Sequence, residues 1–119
     1  MTRLTIKLSL MFSFTLFISI LSCKKETTNP CFTTDMSFSK NIVAIYKSST
    51  CLTSGCHSSN DLVPLETYSV TKFLVDQKKL LWAIKREAGF SPMPKVGDKL
   101  SDCDISKIEA WINQGAKDN

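Results

Sequence analysis

The chain changes its pattern of apolar and polar positions twice. Residues 8–21, Leu-Ser-Leu-Met-Phe-Ser-Phe-Thr-Leu-Phe-Ile-Ser-Ile-Leu, are an uncharged run with no amphipathic period, preceded by Arg3 and Lys7. At 14 residues the run falls short of the roughly 20 needed for a membrane-crossing helix. A cationic start before such a run is the layout of an export signal. Residues 24–30, Lys-Lys-Glu-Thr-Thr-Asn-Pro, are polar and close on a proline, as a short flexible tether does.

From residue 31 onward the apolar positions take a helical period. Phe38, Ile42, Ile45 and Tyr46 share a face, with Ser37 or Ser39 placed to cap it, and this predicts a helix over 38–48 ended by Ser48-Ser49-Thr50. Thr67 to Gln77 and Lys78 to Glu87 read as two helical stretches, continuous or nearly so. Tyr68, Phe73, Leu74, Leu80, Leu81 and Ile84 recur there mostly at three- and four-residue steps, and Gly89 is the expected stop. Ser101-Asp-Cys-Asp104 has the form of a capping box with Asp in place of Glu. It opens a helix on which Ile105, Ile108 and Ile112 line one face beside Trp111, and Gly115 is its natural terminator. No alternating run is long enough for a strand and no internal repeat is present. The expected class is all-α, with about four helices.

Composition narrows this to one small domain. The 119 residues are 43% hydrophobic with only 4 Gly and 4 Pro, too apolar for general disorder and too short for two ordinary domains. Removing the signal takes Arg3 and Lys7 with it, and the formal charge falls from +4 to +2. No basic stripe remains, so a nucleic-acid partner is not expected. Ile20-Leu21-Ser22-Cys23 resembles the bacterial lipobox, which implies cleavage before Cys23, a thioether-linked diacylglycerol on Cys23 and acylation of the new N-terminus. Several acyl chains at about 0.8 kcal/mol per CH2 hold a protein firmly on a membrane. The expected organisation is a signal peptide over 1–22, a tether over 23–30 and a folded domain over 31–119. The expected location is the cell envelope, with the periplasmic face of the outer membrane favoured over the cell surface. A domain of that size has a marginal core without a covalent staple or a cofactor.

Candidate chemistry is concentrated in Cys51-Leu-Thr-Ser-Gly-Cys56-His57, which contains the only histidine of the chain. C-x-x-C-H marks c-type haem attachment: each thiol adds across a haem vinyl group, and the adjacent imidazole becomes an axial ligand to the iron. The spacer here is four residues instead of two, and Gly55 gives the backbone the freedom to loop. A second axial ligand from this chain has to be a methionine, and Met36 and Met93 are the two that survive processing. Met93 sits in Ser91-Pro92-Met93-Pro94, where two prolines restrict the backbone and present the thioether rigidly. Other readings of these residues stay open. Met93 could fill a gap in the core. Cys51, Cys56, His57 and a fourth ligand such as Cys103 could bind zinc, or Cys51 and Cys56 could form a disulfide in a haemless envelope interaction module. A Cys-His nucleophile pair is disfavoured because sequence neighbours seldom face each other across a cleft.

The order of helix, C-x4-C-H, helical middle, Pro-Met-Pro loop and C-terminal helix resembles the small class I cytochrome c domains. The nearest likeness is to short cytochrome c-like lipoproteins of the Bacteroidetes group, in which Ile42-x-x-Ile45-Tyr46, Met93-Pro94, Leu100-Ser101, Ile108-Glu-Ala-Trp111-Ile112 and Gly115-Ala116 recur in similar arrangement. The likeness covers residues 38–117. It implies thioether bonds at Cys51 and Cys56, His57 as proximal ligand, Met93 as distal ligand and one covalent haem c in a crevice between the helices. It also implies packing of Phe38, Ile42 and Ile45 on the first helix against Ile108, Trp111 and Ile112 on the last. With both axial positions taken, the implied activity is outer-sphere electron transfer between redox proteins of the envelope, by a monomer that is not an enzyme. With Cys23 given to lipid and Cys51 and Cys56 to haem, Cys31 and Cys103 remain, and in an oxidising compartment they can pair. The alternative leaves two free thiols, which an exported protein seldom tolerates. Lys47, Lys72, Lys78, Lys79, Lys85, Lys95 and Lys99 could ring a haem edge and steer acidic partners, although such lysines are ordinarily a solvated face.

Overall fold

Ser37 starts the first helix. Its backbone is extended, and its Oγ accepts from the Lys40 amide at 3.3 Å, which satisfies one of the amides that a helix start leaves without a partner. The chain then makes a π-helical turn, Phe38–Ile42, that runs directly into α1, Val43–Ser48. Ser39 is not the cap, because its hydroxyl is spent on the backbone oxygen of Asn119 at 2.8 Å. The other helices are α2 (Tyr68–Asp76), α3 (Lys79–Lys85) and α4 (Asp102–Asn113). This computed structural model describes residues 31–119. The expected signal at 1–22, the expected lipid site Cys23 and the 24–30 part of the tether lie outside the described residues. Among the described residues all regular structure is helical, and no helix is long and apolar enough to cross a membrane. The class is all-α.

One end geometry recurs on three helices. After α1, α3 and α4 a left-handed residue lets two successive amides turn back onto the last exposed carbonyls, the crossed pair of bonds known as a Schellman motif. At α4 the turning residue is Gly115 (φ 100), with its amide on Ile112 at 3.0 Å and the Ala116 amide on Trp111 at 2.9 Å. At α1 it is Thr50 (φ 57), and at α3 it is Arg86 (φ 61). Neither side chain favours that region, and a β-branched residue such as Thr50 favours it least.

Arg86 corrects an expectation from sequence. The second middle helix stops at Lys85, not at Gly89, because the Arg86 and Glu87 amides already close onto Ala83 and Trp82, at 3.1 and 3.0 Å. Gly89 (φ 90) belongs to the turn beyond. The two middle helices are also separate elements, broken where Lys78 takes a left-handed conformation (φ 56). Phe73, expected on the buried face of the first of them, is 59% exposed.

The core joins the first and last helices. Ile42, Ile108 and Trp111 are completely buried, and the Phe38 ring lies 5.6 Å from Trp111 and 5.3 Å from Tyr68. Ile45 joins the same cluster, with Ile112 packed at its margin. Trp111 Nε1 donates to the Lys117 carbonyl at 3.0 Å and the Tyr68 hydroxyl to Ala116 at 2.9 Å, so the polar tips of both rings find partners in the chain that follows α4. Ser101 caps α4 by accepting from the Asp104 amide at 3.0 Å while its own hydroxyl proton goes to the Asp104 carboxylate at 2.7 Å. Cys31 is paired with Cys103 as a disulfide, Cα to Cα 5.2 Å, fastening the start of the domain to the first turn of α4. Gln114 adds to this join, accepting from the Met36 amide and donating to the Thr33 carbonyl, both at 2.8 Å. Met36 itself is buried in the core.

Candidate functional site

Cys51 follows directly on the turn that ends α1. Its amide donates to the Tyr46 carbonyl at 2.9 Å as the second bond of that cap, so the helix end fixes where the motif begins. The loop then closes on itself, with the Cys56 amide on the Thr53 carbonyl at 3.0 Å and the His57 amide on the Cys51 carbonyl at 3.0 Å. Gly55 takes the left-handed conformation (φ 83) that lets four residues span the gap between the thiols. The carboxylate of Asp61 brackets the far end. It accepts from the Gly55 amide at 3.2 Å, and from the Ser58 amide (2.8 Å) and hydroxyl. Cys56 and His57 therefore lie between two backbone positions held by one side chain.

His57 Nδ1 lies 3.0 Å from the Val63 carbonyl. A carbonyl can only accept, so Nδ1 carries the proton and the lone pair of the neutral ring sits on Nε2. This is how proteins orient an imidazole that ligates a metal. The two thiols differ: Cys51 is half-buried and Cys56 exposed, and both are free. The Cys51–Cys56 disulfide of the haemless reading is thus not formed. Burial pushes the Cys51 thiol up, and the neighbouring Cys56 adds to this against an opposing backbone hydrogen bond. Cys51 is therefore held as a thiol at neutral pH.

Met93 reaches the same place from the other side of the fold. Its amide donates to the Ala83 carbonyl at 3.0 Å, one of the carbonyls exposed at the end of α3. A cavity of about 820 Å³ lies between the two loops. Cys51, Cys56, His57 and Met93 all line it, and Leu65, Leu80, Ile84 and Leu100 are among its apolar walls. The volume falls within the roughly 300–1,000 Å³ usual for cofactor and small-molecule sites.

The donor set fits a haem. Two thiols stand beside an imidazole whose free nitrogen is Nε2, and a thioether lies elsewhere on an apolar wall. Tyr46 also borders the cavity. It is buried, and its hydroxyl has no hydrogen-bond partner among the described residues. Burial pushes the Tyr46 hydroxyl strongly up, and the neighbouring Thr71 hydroxyl donates its own proton to the Leu65 carbonyl at 2.9 Å. The zinc reading lacks its fourth ligand, since Cys103 is in the disulfide and no three His, Cys, Asp or Glu side chains converge as a metal-holding group among the described residues.

Of the seven lysines considered from sequence, Lys79 and Lys95 line the cavity. Lys47, Lys72, Lys85 and Lys99 are paired with Glu66, Asp76, Glu109 and Asp102, and Lys78 lies over the Trp82 ring at 5.9 Å. Comparison with protein-family models, curated proteins and solved structures finds no match. Function therefore has to be argued from the site itself.

Sequence reasoning did not single out Tyr46 as a cavity-lining residue, Asp61 as a bracket or Arg86 as a turn residue. Asp61 had a signal: Ser58-x-x-Asp61 repeats the spacing of Ser101-x-x-Asp104. Its carboxyl is held below the ordinary carboxylate value, first by the Ser58 hydroxyl and then by backbone amides. The sign follows for a depressed acid. The bracket is at full strength above the ordinary aspartate value of about 3.9 and is lost as pH falls through the lower folded value. The protection of the Gly55 and Ser58 amides, measured against the intrinsic exchange rate at each pH, is expected to fall on acidification below about pH 4. Asp61→Asn should lower that protection already at neutral pH and abolish the acid step. Equal exchange in the two proteins at pH 7 would show that the carboxylate holds nothing.

Proposed function

We propose that this chain is a lipid-anchored, single-haem c-type cytochrome of the small class I kind, carrying electrons between redox proteins of the cell envelope. The observation that carries the reading is the convergence of Cys51, Cys56, His57 and Met93 on one largely apolar cavity, although 36 positions separate His57 from Met93. Cys51 and Cys56 would hold the haem by thioether bonds, with His57 through Nε2 and Met93 through sulfur as the residues that would ligate its iron. When bound, the group supplies a one-electron ferrous/ferric couple, and methionine ligation raises its potential relative to two histidines. The chain's own residues do the rest. The Val63 carbonyl keeps the imidazole in the tautomer that ligates, the Leu65, Leu80, Ile84 and Leu100 walls exclude water, and Lys79 and Lys95 put positive charge where an acidic partner would approach. A lipid at Cys23 would keep the carrier at the membrane surface, within reach of partners there.

The test is a pyridine haemochrome spectrum with intact mass on protein made alongside a cytochrome c maturation system. A c-type band and the mass of one haem are expected. An apo mass with no Soret band would overturn the reading and turn attention to protein partners. Met93→Ala is expected to keep the attached haem but lose the low-spin spectrum and the methionine–iron charge-transfer band. An unchanged spectrum would remove Met93 from the coordination sphere.

A further inference from the structure

The segment that carries Met93 has little backbone bonding of its own. Pro92 and Pro94 have no amide to donate, Gly97 is left-handed (φ 89), and Val96 at the tip is 89% exposed. The Met93 amide holds the loop from one side, on Ala83. Arg86 holds it from the other. Its Nη2 donates to the Gly97 carbonyl at 2.9 Å and to the Pro94 carbonyl at 3.4 Å, spanning the loop just past the methionine.

The same residue ends α3. The Arg86 amide shares the Ala83 carbonyl with the Met93 amide, at 3.1 and 3.0 Å, and its left-handed backbone makes the turn possible. Glycine would make that turn at lower cost, and most side chains other than Asn or Asp resist it. A helix stop alone gives no reason for an arginine in this conformation. The guanidinium supplies one, since the two N–H groups of its Nη2 reach both carbonyls from a planar, rigid head that a lysine ammonium on its flexible stem lacks.

We infer that Arg86 is a positioning residue for Met93: its side chain braces the 93–97 loop against the end of α3, and so sets how firmly the methionine occupies its place in the cavity. As a statement about ligation this rests on the haem reading. As a statement about the loop it does not.

Arg86→Gly separates the two roles, because it eases the backbone while deleting the brace. Arg86→Gln and Arg86→Lys keep a polar side chain but replace the planar, charged head, the first with a shorter neutral amide and the second with an ammonium. In the haem-free protein, Arg86→Gly is expected to raise the thermal midpoint yet accelerate Met93 amide exchange by about tenfold, the equivalent of one charge-assisted hydrogen bond. A merely structural arginine would not give gain and loss together. In the haem-loaded protein, external imidazole is expected to displace Met93 at about tenfold lower concentration in Arg86→Gly and Arg86→Gln, with Arg86→Lys in between. Haem attachment itself should be unchanged. Wild-type exchange and imidazole affinity in Arg86→Gly would overturn the inference. If the unaltered protein takes no haem, the functional reading fails while the exchange measurement still decides the brace.

Discussion

Trp111→Ala is expected to lower the unfolding free energy by about 3–5 kcal/mol, read as a lower urea midpoint with little change in slope. Trp111 is completely buried, packs against Phe38 at 5.6 Å between ring centres, and donates to the Lys117 carbonyl at 3.0 Å. Alanine would leave a cavity where the first and last helices meet and would also orphan that carbonyl. A domain of this size holds roughly 4–13 kcal/mol in total, so the variant should be close to unfolded at physiological temperature. Trp111→Phe, which keeps an aromatic ring but not the N–H, should lose distinctly less. A loss under about 1 kcal/mol for the alanine variant would mean that the ring is not the keystone its burial implies.

Replacing Cys31 and Cys103 together by serine is expected to cost about 4 kcal/mol, from the chain entropy released by opening a loop whose ends are 72 positions apart. Chemical reduction of the unaltered protein should reach the same midpoint, because the burial of Trp111 and Ile108 does not depend on the bond. The denaturant slope should rise, since an uncrosslinked denatured chain exposes more surface. If the oxidised and reduced proteins unfold at the same urea concentration, the staple contributes nothing and the core alone holds the domain.

The helices were legible where the apolar period was clean. Phe38, Ile42, Ile45 and Tyr46 marked the first helix, and Ser101 with Ile105, Ile108 and Trp111 marked the last, because each is decided by local caps and one buried face. The middle was less legible. Lys78 and Arg86 both adopt left-handed conformations that their identities disfavour, so helix breaks there left no glycine for a reader to find. Phe73 kept the helical period yet faces solvent, as periodicity marks a face without saying whether anything covers it. For the site, the residue types of Cys51, Cys56, His57 and Met93 could be read directly, but their common cavity could not. It depends on the end of α3 receiving the Met93 amide and on the end of α1 launching Cys51. Tyr46 is the sharpest case, since its period marks it as a core ring and only its position shows that it also borders the cavity.

Asn119 has a consequence for how the chain is made. Its backbone oxygen receives the Ser37 hydroxyl and the Ser39 amide, and its side chain receives the Phe38 amide, so the first helix is completed by a residue about eighty positions later. Phe38 likewise waits for Trp111, and Cys31 for Cys103. Contacts this distant in sequence are slow to form, because the intervening chain must be closed into a loop before any of them contributes. An emerging first helix therefore has little to pack against until residues 103–119 have been made. Until those partners exist the first helix has no core to close against, and Cys51 and Cys56, which follow it directly, stay accessible for longer than a local fold would leave them.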